Sequence, residues 1–323
     1  MRAVRLHELI GPKGLRVDDV PEPVAGPGEV LIEVCAMGVN FPDVLMSYGK
    51  YQFTPNLPFA LGGEVSGVVR AVGAGVTRIA VGDRVAAVMM NGGWAELVSV
   101  PEMTVTKLPD AVSFEAGAAT LVNYGTTLHA LVDRAAIQPR ETLLVLGAAG
   151  GVGIAAVEIG KLLGARVIAA ASSAEKLEFC NARGADLLID YSKEDLKKQA
   201  KSLSGGGVDV VYDPVGGSYA EPAVRALAWR GRYLVVGFAA GEIPKIPLNL
   251  VLLTGAAIIG VFWGSFMMRD PEAVQRNSVR LFDWIAQGAL KPHIDGKFPL
   301  ERATEVLQRI ETRRVKGKLL LVP

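Results

Sequence analysis

Residues 143–153 read LLVLGAAGGVG, an apolar run that stops in a cluster of glycines. The run from Thr142 to Leu146 has the length and composition of a fully buried strand. Gly147, Ala148, Ala149, Gly150, Gly151, Val152 and Gly153 follow, and then a helical pattern, GIAAVEIGKLLG, with Ile154, Val157 and Leu162 expected toward a sheet. A tight turn between strand and helix brings backbone close to a pyrophosphate. The helix start then offers free N–H groups and a positive dipole end. Ala148 stands at the first glycine place of a G-x-G-x-x-G pattern, and Gly150 and Gly153 keep the other two. The same glycines would also serve a plain turn. Their position, with a strand before and a helix after, favours a dinucleotide. Ala149, Gly150, Gly151, Val152 and Gly153 are the expected contacts.

The next strand, RVIAAAS, bears on which dinucleotide. An NAD site asks for Asp or Glu at its end to hold the ribose 2′-hydroxyl. Here it ends in Ser172 and Ser173, with Lys176 just beyond and no carboxylate before Glu175. Hydroxyls and a cation accept a 2′-phosphate that an acid would repel. The pattern therefore favours NADPH, although Lys176 read by itself is also an ordinary solvated helix charge.

Outward from this unit, strands and helices alternate from Glu141 to about Gly260, which implies a parallel, doubly wound sheet. Upstream, the first ~120 residues are β-rich. GEVLIEVCAMGV puts Val30, Ile32 and Val34 on one face, and Gly or Pro turns bound the strands that follow. SFEAGAATLVNYGTTLHALVD reads as a helix-rich connection, and the last ~55 residues add two helices and the strand GKLLLVP. A chain of 323 residues suggests two domains. A net charge of +1 without basic blocks gives no nucleic-acid footprint. Two cysteines, Cys35 and Cys180, are too few for a disulfide framework and fit a reducing cytoplasm, and the N-terminus lacks a signal-peptide pattern. Residues 246–268 carry no charge and are long enough to span a bilayer, but prolines, glycines and polar residues favour a short helix, LNLVLLTG, and a buried strand, AAIIGVFW.

Taken together, GVNFPDVLMSYGKY, LPFALGGEVSGVV, VGDRVAA, GAAGGVG, LLIDY and GKLLLVP resemble the medium-chain dehydrogenase/reductase superfamily, most of all its zinc-independent quinone oxidoreductase branch. The resemblance covers the whole chain. It implies an α/β fold, with a Rossmann doubly wound parallel sheet at 123–263 and a β-rich GroES-like catalytic domain at 1–122 and 264–323. Zinc members carry a Cys early in the chain and a His in a G-H-E triplet. Here those places hold Asn40, or its neighbour Val39, and Gly63. The histidines, His7, His129 and His293, lie in unrelated contexts, so no metal is expected.

Without zinc to polarise a carbonyl, an acceptor that is already electrophilic is favoured: a quinone or an enone. The resemblance implies that Asn40 bonds substrate or nicotinamide and that Tyr51 donates to the developing oxyanion. A second tyrosine of the pattern is replaced by Leu45, which implies a more apolar pocket. Asp43 is expected to orient the Asn40 loop. Thr126 matches a nicotinamide-side threonine, or else a hydroxyl bonding its own helix. Tyr191 and Arg313 match residues around the 2′-phosphate, with Arg313 or Arg314 open to a plain surface role. Gly237, Phe238 and Phe262 complete the expected cofactor contacts. Reduction of an enoyl-CoA or enone double bond, and an NADPH-binding protein with weak catalysis, stand as alternatives. The resemblance further implies a cytoplasmic homodimer joined edge to edge near Ile258–Trp263, acting on a small molecule.

Overall fold

The computed structural model describes residues 1–323. The chain forms two units, one of Met1–Gly125 with Gly264–Pro323, the other of Thr126–Trp263.

The first unit opens with β1 (Arg2–Leu6), β2 (Leu15–Asp19), β3 (Glu29–Val39), α1 (Phe41–Ser47), β4 (Phe59–Ala60), β5 (Glu64–Val72), β6 (Arg84–Val88), β7 (Leu97–Pro101), β8 (Val105–Lys107) and α2 (Phe114–Ala118). The spine is β3, antiparallel to both β5 and β7. Its alternation works as the sequence reading expects: Val30, Ile32 and Val34 are all buried. They join Leu61, Val65, Trp94 and Leu321 in one apolar core. Ser113 caps α2 by accepting from the Ala116 amide at 3.1 Å.

Then come α3 (Asn123–Leu128), a π-helical turn at His129–Arg134, and the strand–helix alternation of the second unit. It runs β9 (Thr142–Leu146), α4 (Gly151–Leu162), β10 (Arg166–Ala171), α5 (Ala174–Ala182), β11 (Leu187–Asp190), α6 (Leu196–Ser204), β12 (Val208–Asp213), α7 (Ala220–Arg225), β13 (Leu227–Val235), α8 (Leu248–Thr254) and β14 (Ala257–Gly260). The sheet order is β11-β10-β9-β12-β13-β14 with every pairing parallel. The order reverses at β9, the first strand in sequence, which is the doubly wound arrangement.

The chain ends with α9 (Trp263–Arg269), α10 (Pro271–Ala286), β15 (Ile294–Pro299), α11 (Ala303–Glu311) and β16 (Lys318–Val322). In the first unit, β16 pairs antiparallel with β3 and parallel with β15. No helix is long and apolar enough to cross a membrane. The uncharged stretch is divided among α8, β14 and all of α9 but its last residue, Arg269.

Two expectations are corrected. Ile154 and Val157 of α4 are buried, but Leu162 is exposed, because Ile159 and Gly160 take the inward positions of the last turns. The strand within AAIIGVFW is not buried: β14 is the terminal strand of its sheet, and Ala257 and Ile258 are exposed.

Candidate active-site residues

In the second unit the glycine turn is built from backbone. Gly147 has a φ of 57°, in the left-handed region that glycine adopts without strain. A Cβ on Gly153 would lie 2.3 Å from the Gly147 carbonyl oxygen, so only glycine lets α4 start this close to the strand end. Gly150 is the N-cap residue, with extended backbone and no side chain capping the helix. The first-turn amides of Gly151, Val152 and Gly153 have no intrahelical acceptor, which leaves a cradle of donors at the positive end of a twelve-residue helix. Thr127 Oγ1 donates to the Val152 carbonyl at 3.2 Å and hydrogen-bonds the buried Tyr212 hydroxyl at 2.9 Å, fixing the outer side of the turn. Thr126 beside it is buried in the same short helix.

The parallel register of β10 and β11 brings the expected phosphate residues together. Ala171 pairs with Asp190, and the Tyr191 amide donates to the Ala171 carbonyl at 3.2 Å, so Ser172 and Tyr191 leave the sheet side by side. Ser172 is exposed. Ser173 caps α5, its Oγ accepting from the Lys176 amide at 3.4 Å, which sets Lys176 in the first turn of α5. Tyr191 packs on Tyr219, ring centroids 4.4 Å apart. Gly237 and Phe238 follow β13 and line an apolar hollow with Ile243 and Pro244. Phe262, just past β14, is half exposed. Arg313 belongs to the first unit, exposed between α11 and β16, with a φ of 57°.

In the first unit, Asn40 directly follows β3 and is the N-cap residue of α1. Asp43, buried one turn on, accepts the Asn40 amide at 2.8 Å and the Gly62 amide at 3.1 Å, the orienting role that the sequence suggests. Burial pushes the Asp43 carboxyl up to about 7, against the pull of those two donors. The Asn40 side chain meets two residues that the sequence reading missed. Its Nδ2 donates to Glu64 Oε1 at 3.0 Å, and its Oδ1 accepts from Lys318 Nζ at 2.5 Å. Lys318 also pairs directly with Glu64, and Glu64 Oε2 accepts from the Val122 amide at 2.8 Å. Asn40, Glu64 and Lys318 are all buried.

Register explains the meeting. Leu319 stands opposite Val39, which brings Lys318 abreast of Asn40, and Met37 opposite Val65, which brings Glu64 abreast of Gly38. A Cβ on Gly38 would sit 2.5 Å from the Glu64 side chain and 2.6 Å from the Ala118 carbonyl oxygen, so the glycine makes room for the carboxylate. The available signal was a single charge opening each of two otherwise mostly apolar strands, EVSGVV and KLLLV.

Tyr51 lies in the loop after α1, half-buried against the first unit's core. Burial, with a smaller push from the charge of Asp43, raises its phenol pKa and keeps it a proton donor. Leu45 is half-buried in α1.

Residues 151–282 match the zinc-binding dehydrogenase family and residues 26–110 the alcohol dehydrogenase GroES-like domain. The chain is 37% identical to a quinone oxidoreductase-like protein 2 homolog of Nematostella vectensis, over 99% of this chain and 88% of that protein. It belongs to the medium-chain dehydrogenase/reductase superfamily, in the quinone oxidoreductase branch, and is an oxidoreductase. The Escherichia coli quinone oxidoreductase, solved with NADPH, superimposes with a TM-score of 0.93 at 31% identity, over all of both chains. A mycobacterial protein solved with NADPH gives 0.94 at 35% identity, again over all of both chains.

The superfamily's zinc does not fit this member. No three His, Cys, Asp or Glu side chains gather anywhere in the fold. Gly63 offers no ligand atom, and the Asn40 oxygen is taken by an ammonium, itself a cation.

Proposed function

We propose that this protein is an NADPH-dependent reductase that delivers hydride, without a metal, to quinones or other conjugated carbonyls. One observation carries the reading: a lysine ammonium is hydrogen-bonded to Asn40, which, or its neighbour Val39, the resemblance sets at one zinc-ligand place, and Gly63, at the other, has no ligand atom. An unactivated ketone or alcohol relies on a Lewis acid for hydride transfer. In a quinone or enone, conjugation spreads the arriving charge and a few hydrogen-bond donors suffice.

NADPH, when bound, supplies the hydride. Ala149, Gly150, Gly151, Val152 and Gly153 hold its pyrophosphate on the uncapped start of α4. Ser172, Ser173, Lys176 and Tyr191 receive the 2′-phosphate, and the absence of an acid at the end of β10 favours that phosphate. Thr126, Gly237, Phe238 and Phe262 contact the remainder. Asn40 hydrogen-bonds substrate or nicotinamide, and Tyr51, with its proton held, donates to the oxyanion. The relatives solved with NADPH support the cofactor.

The test is oxidation of NADPH with 1,4-quinones, unaffected by a chelator. Absence of turnover with every quinone, enone and enoyl thioester overturns the reading, and a preference for crotonyl-CoA over small enones replaces the substrate class. The working form is a homodimer in the cytoplasm, joined through the open edge of β14, where Ile258 and Phe262 are exposed. Ile258→Asp should then give a monomer in light scattering, and an unchanged mass would refute that edge.

A further inference from the structure

Asparagine is chemically two-faced, since its side chain can accept through Oδ1 or donate through Nδ2. At Asn40 the surroundings remove that choice. A lysine ammonium has only donors, so Lys318 can face only the amide oxygen. A carboxylate in an ion pair has only acceptors, so Glu64 Oε1 can face only the amide nitrogen. A flip of the Asn40 amide would set donor against donor and acceptor against acceptor in a buried place. The Glu64 carboxylate is itself fixed, through Oε2 on the Val122 amide and through Oε1 on Lys318.

We propose that Glu64 and Lys318 are positioning residues that lock the Asn40 amide with its oxygen on the ammonium and one Nδ2 hydrogen on the carboxylate, leaving the second Nδ2 hydrogen as a free donor that the cation on the amide oxygen strengthens. Asn40 is thereby wired as a donor. Together with the protonated Tyr51 phenol, it makes the first unit's offering to a ligand an N–H and an O–H. The group it takes is a carbonyl or enolate oxygen; a hydroxyl that must give up its proton finds no base in this pair. This rests on the reading of Asn40 as a ligand-contacting residue, and it adds the direction for which the site is built, toward an oxidised oxygen function.

The variant Glu64→Gln/Lys318→Met removes both charges together and leaves neither stranded. The neutral amide introduced at position 64 can meet Asn40 in either orientation, so the lock is gone while the space stays filled. The first readout is the Asn40 side-chain amide in 1H–15N spectra of the protein without ligand, assigned by its loss in Asn40→Asp. In the wild type we expect two well-separated proton signals with the carboxylate-bonded one downfield and protected from exchange. In the double variant they should converge and exchange faster.

The second readout is kinetic, with a 1,4-quinone at saturating NADPH. The expected loss is about 10- to 100-fold in kcat, the scale of a misplaced group, with KM for NADPH changed less than about threefold. A merely structural pair would lower Tm and leave kcat of the folded protein alone. Unchanged Asn40 signals, or a kcat within about twofold of wild type in a folded double variant, overturns the proposal. If the wild type itself turns over no acceptor, the functional reading falls, and the amide spectra still decide whether Asn40 is locked.

Discussion

The two units present their polar groups in opposite ways. The second unit does it with backbone: the turn at Gly147–Gly153 offers amides that no side chain caps. The first unit does it with side chains: Asn40, Glu64 and Lys318 come from three strand ends far apart in sequence and are buried together. A backbone cradle needs the absence of Cβ atoms, which is a local property. A buried charged cluster needs correct register across β3, β5 and β16, which is a global one. The first can be broken by adding one carbon atom, the second by removing one charge.

The largest effect is expected from removing one charge. Lys318→Met alone leaves Glu64 buried and unpaired, and should cost about 3–5 kcal/mol in chemical denaturation. Loss below about 1 kcal/mol would mean that the pair is not held as described. Next comes the added carbon. Gly153→Ala must push α4 away from the Gly147 carbonyl and should cost up to about 3 kcal/mol, with NADPH fluorescence enhancement lost. Normal Tm and normal NADPH binding together would refute the close approach.

A smaller contrast lies within the first unit. Asp43 has a folded-state pKa near 7 against an ordinary value of 3.8. The folded state therefore binds more protons than the unfolded state between those values, and this group's contribution to stability falls as pH rises through that window. Unfolding free energies should drop by about 2 kcal/mol from pH 5 to pH 8 through Asp43, and Asp43→Asn should flatten that slope. An identical pH slope in both proteins would show that the carboxyl is not held up by burial. The smallest effect is at the rim of the second unit. Lys176→Ala should weaken NADPH about tenfold and NADH little, measured by fluorescence titration. Equal weakening of both would remove the 2′-phosphate from its role.

The same contrast separates what is legible in the sequence from what is not. The doubly wound sheet and the β-rich unit can be read because the period of Val30, Ile32 and Val34, and the glycines after Leu146, are local signals. Asn40 is reached through a motif, and Asp43 through its place in the same continuous turn. Glu64 and Lys318 escape because their meaning is a distance set by strand pairing, and nothing near either of them in the chain states it. The exposure of β14 escapes for a related reason: an apolar strand looks the same in sequence whether it closes a sheet or sits within it.

Gly38 carries a consequence for how this sequence can drift. A methyl group at that position and a carboxylate at position 64 would claim the same volume. Substitutions at the two sites are therefore coupled: descendants that keep the acid must keep the bare α-carbon, and those that acquire a side chain at 38 must have surrendered the acid, found another counterion for Lys318 and shifted the Ala118 carbonyl as well.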